Sequence, residues 1–142
     1  MCGICGYYSE ASLASNSIIK KMNIALSHRG PDSSGIWQND VMGIAFGHQR
    51  LSIIDLSSAG NQPMKSSSGN LILTYNGEIY NHLEIRKDLE KSLPNIKWKG
   101  NSDTETLLEA IDLWGIEKTL KNTSCSFSLL LFEMSIIKSV KC

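Results

Sequence analysis

The sequence lacks an excess of charge of either sign. Its 142 residues carry 14 Lys and Arg against 14 Asp and Glu, so the formal net charge is zero. Proteins that bind nucleic acid usually present a clustered basic face, and this composition supplies none. We therefore expect no nucleic-acid partner. The length fits one ordinary domain, because two domains would each be unusually small.

Long apolar runs and targeting segments are also missing. The longest largely apolar stretch, residues 127–137, is interrupted by Glu133 and falls far short of the roughly 20 residues that span a bilayer. The N-terminus has neither a basic start nor an apolar signal core. We therefore expect no membrane partner. With four cysteines and no secretory signal, the sequence favours the cytoplasm over a disulfide-forming compartment.

The order of predicted elements indicates an α+β fold. Strands are predicted at residues 4–8, 35–38, 41–49, 50–54, 70–75 and 126–132, and a surface loop at 57–69. Helices are predicted from a cap at Asn16 to the vicinity of Gly30, over 83–93, and after a capping box formed by Ser102 and Glu105. The first helix is expected to bury Ile18, Ile19, Met22, Ala25 and Leu26. No regular alternation of strand and helix occurs, so we expect antiparallel sheets.

Cys2 offers the most distinctive chemistry. Removal of Met1 would make Cys2 the N-terminus, so that one residue supplies both a thiol nucleophile and an α-amine. An α-amine titrates at about pH 7.7 to 8.0, and its unprotonated fraction near neutrality can accept the thiol proton. Two other interpretations stay open. Cys2 could simply begin a strand, or it could form a redox or metal-binding C-x-x-C pair with Cys5.

Three further segments carry groups that suit a small polar ligand. Arg50 enters an otherwise apolar strand, where a guanidinium usually faces a carboxylate. Asn76 and Gly77 either form a hairpin turn or point a side-chain amide and a backbone N–H at one developing oxyanion. Asp103 either complements the dipole of a helix that begins there or receives an ammonium group.

Six motifs in one order carry a resemblance to a known family. They are residues 1–4 (Met-Cys-Gly-Ile), 29–32 (Arg-Gly-Pro-Asp), 48–55 (His-Gln-Arg-Leu-Ser-Ile-Ile-Asp), 62–64 (Gln-Pro-Met), 75–81 (Tyr-Asn-Gly-Glu-Ile-Tyr-Asn) and 102–105 (Ser-Asp-Thr-Glu). Over residues 2–133 the chain resembles the glutaminase domain of glutamine-hydrolysing asparagine synthase, a class II glutamine amidotransferase. The resemblance implies the N-terminal nucleophile hydrolase fold, an αββα sandwich of two antiparallel sheets.

The resemblance also implies a mechanism and a set of site residues. The Cys2 thiolate would attack the γ-amide of L-glutamine, with the α-amine as base and with Asn76 and Gly77 holding the oxyanion. Arg50 and the backbone after it would hold the substrate α-carboxylate, while Glu78 and Asp103 would accept the α-ammonium group or neighbouring donors. The implied binding set is Arg50, Leu51, Ser52, Ile53, Ile54, Asn76, Gly77, Glu78 and Asp103. No cofactor and no metal are implied within this chain.

The sequence departs from the family near its C-terminus. Cys125 stands where the family has a glycine, and residues 134–142 form a tail without a recognised motif. Family members continue into an ATP-pyrophosphatase domain with a Ser-Gly-Gly-x-Asp-Ser loop, which this sequence does not contain. We therefore expect a partial domain, incomplete at its C-terminus, with ATP and magnesium belonging to a synthetase domain or subunit elsewhere. The resemblance also implies a homodimer for the full-length family.

Two explanations of the departure from the family sequence near the C-terminus stay open. One is truncation of a longer gene, which is favoured, and the other is a natural short paralogue. Two functional alternatives also stay open. The chain could be a non-catalytic fragment that keeps a glutamine pocket, or the glutaminase part of a relative that amidates a carboxylate on a cell-surface sugar.

Overall fold

The computed structural model describes residues 1–10, 15–53 and 55–134. Within these residues the strands are β1 (Gly3–Tyr8), β2 (Ser33–Asn39), β3 (Ile44–Arg50), β4 (Met64–Lys65), β5 (Leu71–Ile79) and β6 (Cys125–Glu133). The α-helices are α1 (Asn16–Ala25), α2 (His82–Ser92), α3 (Asp103–Trp114) and α4 (Ile116–Asn122), and short 3-10 helices cover Ser27–Arg29 and Ser58–Gly60. No helix among the described residues is long and apolar enough to cross a bilayer.

The first three strands form an antiparallel sheet, here called sheet A, in the order β1-β3-β2. Gly3 lies opposite Gln49, and Ser33 lies opposite Arg50. This register brings the beginning of the chain beside the end of the central strand β3. Cys2 therefore comes next to Arg50 and Leu51, although these residues are far apart in sequence.

The remaining strands form a second antiparallel sheet, sheet B, in the order β4-β5-β6. The Tyr80 N–H donates to the Ser124 carbonyl at 2.9 Å, and the Met134 N–H donates to the Asn70 carbonyl at 2.7 Å. Backbone groups of successive strand residues point to opposite edges. Even-numbered residues of β5 therefore pair with β6, and odd-numbered residues turn their N–H and C=O groups to the other edge.

The two sheets pack face to face, with helices on both outer surfaces. One face of β5 packs against α2 and α3, in a core that includes Leu71, Leu73, Tyr75, Ile79, Leu89, Leu107 and Leu108. The other face of sheet B meets sheet A, where the Trp37 ring lies 5.5 Å from that of Phe132. Helix α1 contacts the strands of sheet A. This layer order confirms the predicted αββα sandwich.

The strand predicted at residues 50–54 is wrong, because the chain leaves sheet A after Arg50. The Ser52 N–H donates to the Asp32 carboxylate at 2.7 Å, so a side chain takes the place of a strand partner. The surface loop predicted at 57–69 is also wrong in part. It contains β4, and it buries Gln62 and Ser66.

Helix α1 begins at the predicted position, but its buried face differs from the prediction. Ser15 rather than Asn16 occupies the N-cap, and no side chain caps the helix. Ile18 is 50% exposed, whereas Asn23 is only 1% exposed. Asn23 is buried because its amide donates to the Ser34 hydroxyl at 3.0 Å and to backbone carbonyls of sheet A. Hydrogen bonds therefore override the apolar pattern on this helix.

Half of the predicted capping box forms at the beginning of α3. The Ser102 hydroxyl accepts a hydrogen bond from the Glu105 N–H at 3.2 Å. The Glu105 carboxylate does not return to Ser102 and instead accepts the N–H groups of Lys99 and Gly100, at 2.7 and 3.0 Å. It also pairs with Arg86 at 3.5 Å. Glu105 therefore fixes the segment that leads into the helix.

The helix α4 was not predicted from the sequence. Gly115 separates it from α3 and adopts a φ of +81°, a conformation that glycine enters without steric cost. The glycine therefore turns the chain between two helices and does not end the helical region.

Replacement of Ser102 with Ala removes the acceptor that satisfies an N–H group of the first turn of α3. We expect the free energy of unfolding to fall by about 1 kcal/mol, measured by urea unfolding followed by circular dichroism. Ser92→Ala is the matched control, because the Ser92 hydroxyl is exposed at the C-terminal end of another helix, α2. Equal unfolding free energies for the two variants would contradict the capping role.

Candidate functional site

Both sheets and the beginning of α3 line a cavity of about 580 Å³. Sheet A contributes Cys2 and Arg50, and sheet B contributes residues 75–78 of β5 together with residues 126–128 of β6. The volume lies within the range of small-molecule sites. The cavity therefore combines groups that are separate in sequence and that come from different layers of the fold.

The structure brings together the predicted site residues that it describes. Those lining the cavity are Cys2, Arg50, Leu51, Ser52, Ile53, Asn76, Gly77, Glu78 and Asp103. Ile54, which was also predicted, lies outside the described residues, as do residues 135–142 of the predicted tail. The cavity shows where these residues lie, and their roles stay predictions.

Three contacts hold Cys2 at the edge of the cavity. The Leu51 N–H donates to the Cys2 sulfur at 3.3 Å, the Cys2 thiol donates to the Leu51 carbonyl at 3.6 Å, and the Arg29 guanidinium donates to the Cys2 carbonyl at 3.2 Å. The first contact follows from the pairing of β1 with β3, which continues past the end of both strands. Cys2 is a free cysteine, and Met1 before it is 76% exposed and also lines the cavity. The sulfur thus has a backbone donor that a thiolate accepts.

Arg50 is buried at the end of β3 and keeps part of its donor set free. Its Nη1 donates to the Ser57 carbonyl at 2.7 Å and to the Asn61 side chain at 2.9 Å, and its Nη2 donates to the Asp55 carbonyl. A guanidinium has five N–H donors, so two remain after these bonds. Within the described residues Arg50 forms no ion pair with an acidic side chain. Its charge also acts on the Asp55 carboxylate, so the cavity wall holds a cation with a nearby acidic group but, in the part of the chain described, without a direct ion pair.

Asp55 helps to orient the Arg50 guanidinium through its backbone carbonyl, which accepts from Nη2. This contribution was not predicted. The Asp55 carboxylate accepts hydrogen bonds from the Ser57 hydroxyl and N–H, at 2.6 and 2.8 Å, and from the Asn101 N–H at 2.8 Å. The Ser57 hydroxyl and the Asn101 N–H are the main causes that hold the pKa of Asp55 below its usual value. The spacing of Asp55 and Ser57 is typical of a local side-chain turn, whereas the contact with Asn101 depends on the tertiary fold.

Asn76 and Gly77 lie inside β5 and not in a hairpin turn. On the edge of β5 away from β6, the Tyr75 N–H donates to the Gln62 side chain at 2.6 Å and the Ile79 N–H donates to Asp103 at 3.1 Å. The Gly77 N–H points to the same edge, between these two bonds. It has no acceptor among the described residues, so it is a free donor beside the cavity.

Gly77 is required for steric reasons as well. A Cβ atom at this position would lie 2.4 Å from the Cβ atom of Phe127 and 2.5 Å from the Ser126 carbonyl oxygen. Any larger residue would therefore push β5 away from β6. The glycine allows the close approach of the two strands and leaves its own N–H uncovered.

The two acidic side chains of the cavity differ in their surroundings. The Asp103 carboxylate is buried, and its two oxygens accept the Ile79 N–H at 3.1 Å and the Thr104 N–H at 2.8 Å. Asp103 thus ties the end of β5 to the beginning of α3. Glu78 is exposed, and within the described residues it has no basic partner. Glu78 is therefore the carboxylate that is more available to a cationic group.

His48 lies between the sheets and contacts Tyr75, a residue that lines the cavity. The sequence analysis did not single out this histidine. Its Nε2 lies 3.2 Å from the Tyr75 carbonyl oxygen, and its side chain is 1% exposed. Burial is the main cause that lowers the pKa of His48 to about 4, and the charge of Arg50 acts in the same direction. Because a carbonyl only accepts, the neutral ring carries its proton on Nε2 and donates it to Tyr75.

Comparison with known proteins assigns the chain to a family. A sequence profile described as "Glutamine amidotransferase domain" matches residues 1–139. The chain belongs to this family. Within the described residues of this glutamine amidotransferase domain, no three His, Cys, Asp or Glu side chains are grouped to hold a metal ion.

The similar curated proteins include several asparagine synthetases, which confirms the resemblance found in the motifs. The domain is 40% identical over 112 residues to "Asparagine synthetase [glutamine-hydrolyzing] 1" of Bacillus subtilis, covering 76% of this chain and 17% of that protein. It is 39% identical over 119 residues to the Arabidopsis thaliana protein of the same name, covering 82% of this chain and 19% of that protein. The chain thus spans about a fifth of the length of these relatives.

A solved structure shares the fold of the domain. The glutamine phosphoribosylpyrophosphate amidotransferase of B. subtilis superposes with a TM-score of 0.71 and 20% sequence identity, covering 92% of this chain and 35% of that one. This likeness supports the N-terminal nucleophile hydrolase sandwich that the motifs imply. At this level of identity it concerns the fold alone.

The low pKa of His48 makes stability depend on pH. The ring stays neutral in the folded state down to about pH 4, whereas an unfolded histidine takes up a proton below 6.5. Stability from the neutral ring is therefore complete above pH 6.5 and is lost as the pH falls toward 4. We expect about 2 kcal/mol less unfolding free energy at pH 5 than at pH 7.5 from this group.

Urea unfolding at the two pH values measures this dependence, and His48→Gln is the comparison because glutamine does not titrate. The variant should lose this part of the pH dependence. An identical loss of stability in both proteins would show that His48 does not titrate as described.

Proposed function

We propose that this domain hydrolyses L-glutamine to glutamate and ammonia, with Cys2 as the nucleophile. The observation that supports it most strongly is the convergence of three groups on one cavity: the Cys2 sulfur, the Arg50 guanidinium and the free Gly77 N–H. These are the groups that acyl transfer from a zwitterionic amide requires. The asparagine synthetase relatives are described as glutamine-hydrolysing, which is consistent with this substrate.

The nucleophile is generated at the N-terminus of the mature chain. Once Met1 is removed, the α-amine of Cys2 accepts the thiol proton, and the sulfur forms a bond to the amide carbon of glutamine. The protonated amine then gives a proton to the leaving nitrogen, and the carbon–nitrogen bond breaks to release ammonia. Water attacks the resulting thioester, with the same amine as base, and releases glutamate. No separate histidine base is needed.

Donors on β5 stabilise the tetrahedral intermediate. The Gly77 N–H has no acceptor among the described residues, and the adjacent Asn76 also lines the cavity. Charge that develops on the amide oxygen is held by these two donors. Loss of one such donor typically costs about 2.7–4 kcal/mol in the barrier.

Charged groups around the cavity recognise the amino-acid end of the substrate. The two unused donors of Arg50, with the backbone of residues 51–54, bind the α-carboxylate. Glu78 binds the α-ammonium group, and the buried Asp103 supports it from the beginning of α3. The set therefore offers one cation and acidic groups to a ligand that is itself zwitterionic, and the neutral composition of the chain agrees with such a ligand.

We further propose that the ammonia serves an ATP-dependent synthetase that converts aspartate to asparagine. The reason is that the similar curated proteins are asparagine synthetases, and the synthetase would be a further domain or a separate subunit. The free cysteines Cys2, Cys5 and Cys125 suit the cytoplasm, and a homodimer would follow the full-length family. The alternatives of a non-catalytic fragment or of a sugar carboxylate as the ammonia acceptor are not better supported.

Cys2→Ala should abolish the release of glutamate and ammonia from glutamine, because it removes the nucleophile. A residue that stays attached before Cys2 should have the same effect, because it removes the α-amine. The measurement is a coupled glutamate assay on the purified chain with Met1 removed, and Cys5→Ala is the matched control since Cys5 is a free cysteine on β1, the strand that begins directly after Cys2. Activity in the Cys2→Ala variant, or none in the unmodified chain, contradicts the proposal.

Glu78→Gln removes one negative charge without disturbing a described contact. We expect the KM for glutamine to rise roughly 10-fold or more, as for loss of a hydrogen bond to a charged group, with little change in kcat. Glu84→Gln on the exposed face of α2 is the control. An unchanged KM in Glu78→Gln would show that this carboxylate does not receive the α-ammonium group.

A further inference from the structure

One strand residue outside the proposed chemistry is held by side chains on both of its backbone groups. The Tyr75 N–H donates to Gln62 Oε1 at 2.6 Å, and the Tyr75 carbonyl accepts from His48 Nε2 at 3.2 Å. Both of these side chains are buried, with exposed fractions of 8% for Gln62 and 1% for His48. Tyr75 immediately precedes Asn76, so these bonds lie next to the oxyanion donors.

The first of these bonds continues the pairing of β4 with β5. Met64 lies opposite Leu73, so the same antiparallel register places residue 62 opposite Tyr75. Strand β4 has only two residues, and the Gln62 side chain supplies the acceptor that a longer strand would supply from its backbone. The Gln62 amide in turn donates to the Thr104 hydroxyl at 3.3 Å, next to Asp103. This edge of β5 is thereby anchored to α3.

The second bond connects the two sheets. His48 lies on the central strand of sheet A, two residues before Arg50, and its ring crosses to the backbone of sheet B. Cys2 is tied to the end of the same strand through the Leu51 N–H. The backbone of residues 48–51 and the His48 ring therefore connect Cys2 to Tyr75.

The peptides on both sides of Tyr75 are consequently held, the preceding one by Gln62 and the following one by His48. Asn76 pairs with Ser128 of β6 on one edge, and His48 and Gln62 hold Tyr75 on the other. The next N–H on the edge that they hold is that of Gly77. A shift of Tyr75 would move this N–H and the Asn76 side chain relative to the Cys2 sulfur.

We propose that His48 and Gln62 are positioning residues of the oxyanion site, which hold the Tyr75 peptide so that Asn76 and Gly77 face the Cys2 sulfur. The proposal rests on the proposed glutaminase function. Both side chains act through Tyr75; Gln62 also lines the cavity, whereas His48 does not. They affect the tetrahedral intermediate and leave the binding of the amino-acid end unchanged.

The experiment compares variants that remove each bond with variants that keep it, in the full chain with Met1 removed. His48→Leu and Gln62→Met abolish the two bonds. His48→Gln keeps an N–H donor near the position of Nε2, and Gln62→Glu keeps an acceptor. Glu109→Leu is the matched control, because the buried Glu109 carboxylate accepts from the Ser67 N–H and hydroxyl, in the turn between β4 and β5, at 2.8 and 2.9 Å without lining the cavity.

Two inhibitors separate positioning from general damage. Glutamate γ-semialdehyde accepts the Cys2 sulfur at its aldehyde carbon and so forms a tetrahedral adduct that needs the oxyanion donors. Glutamate has the same amino-acid end but forms no such adduct. The readouts are kcat, the KM for glutamine and the inhibition constants of both compounds, together with a melting temperature for each variant.

We expect His48→Leu and Gln62→Met to lower kcat by about 10²-fold, as for a small misplacement of catalytic groups. Inhibition by the semialdehyde should weaken by a similar factor, while the glutamine KM and inhibition by glutamate change little. His48→Gln and Gln62→Glu should recover most of kcat. If the Leu or Met variant does not fold, His48→Asn and Gln62→Asn replace them, because their shorter amides do not reach Tyr75.

The proposal is overturned if the bond-breaking variants lower kcat no more than Glu109→Leu at equal stability, or if both inhibitors weaken equally. It is also overturned if the conservative variants fail to recover kcat. An unmodified chain that releases no glutamate contradicts the proposed function itself, so that result is distinct from failure of the positioning role alone.

Discussion

The face-to-face packing of the two sheets is the constraint on which the site depends. Cys2 and Arg50 come from sheet A, while Asn76 and Gly77 come from sheet B. A rotation or slip between the sheets would therefore separate the proposed nucleophile from the proposed oxyanion donors. Interiors are packed densely and resist such movement, and a histidine bond between the sheets adds a directional contact at the level of the site. The core of the sandwich thus also aligns the catalytic groups.

The electrostatics of the cavity follow from how each charge is held. Arg50 is surrounded by carbonyl oxygens and an amide, which keep it in place without neutralising it. A buried cation of this kind is costly unless a partner arrives. In the proposed function the substrate α-carboxylate is that partner, so a chain of zero net charge would still hold a strongly charged local site.

The predicted site residues that the structure describes lie on one cavity, whereas several of the predicted elements around them differ from the structure. Cys2, Arg50, Gly77 and Asp103 belong to motifs whose residue types indicate their chemistry, and the structure places all of them on one cavity. The strand predicted after Arg50 does not form, because the Ser52 N–H donates to the Asp32 carboxylate, which belongs to a distant segment of the chain. His48 and Gln62 were quoted only within motifs, since neither their partners nor their burial can be read from neighbouring residues. Tertiary hydrogen bonds were the missing information in each case.

The most direct test of the account is mass spectrometry of the domain quenched during turnover of glutamine. We predict a γ-glutamyl thioester on an N-terminal peptide that begins at Cys2, with Cys5 and Cys125 unmodified. Release of glutamate without such an adduct at any stage of turnover, or an adduct on another residue, would contradict the assignment of Cys2 as the nucleophile.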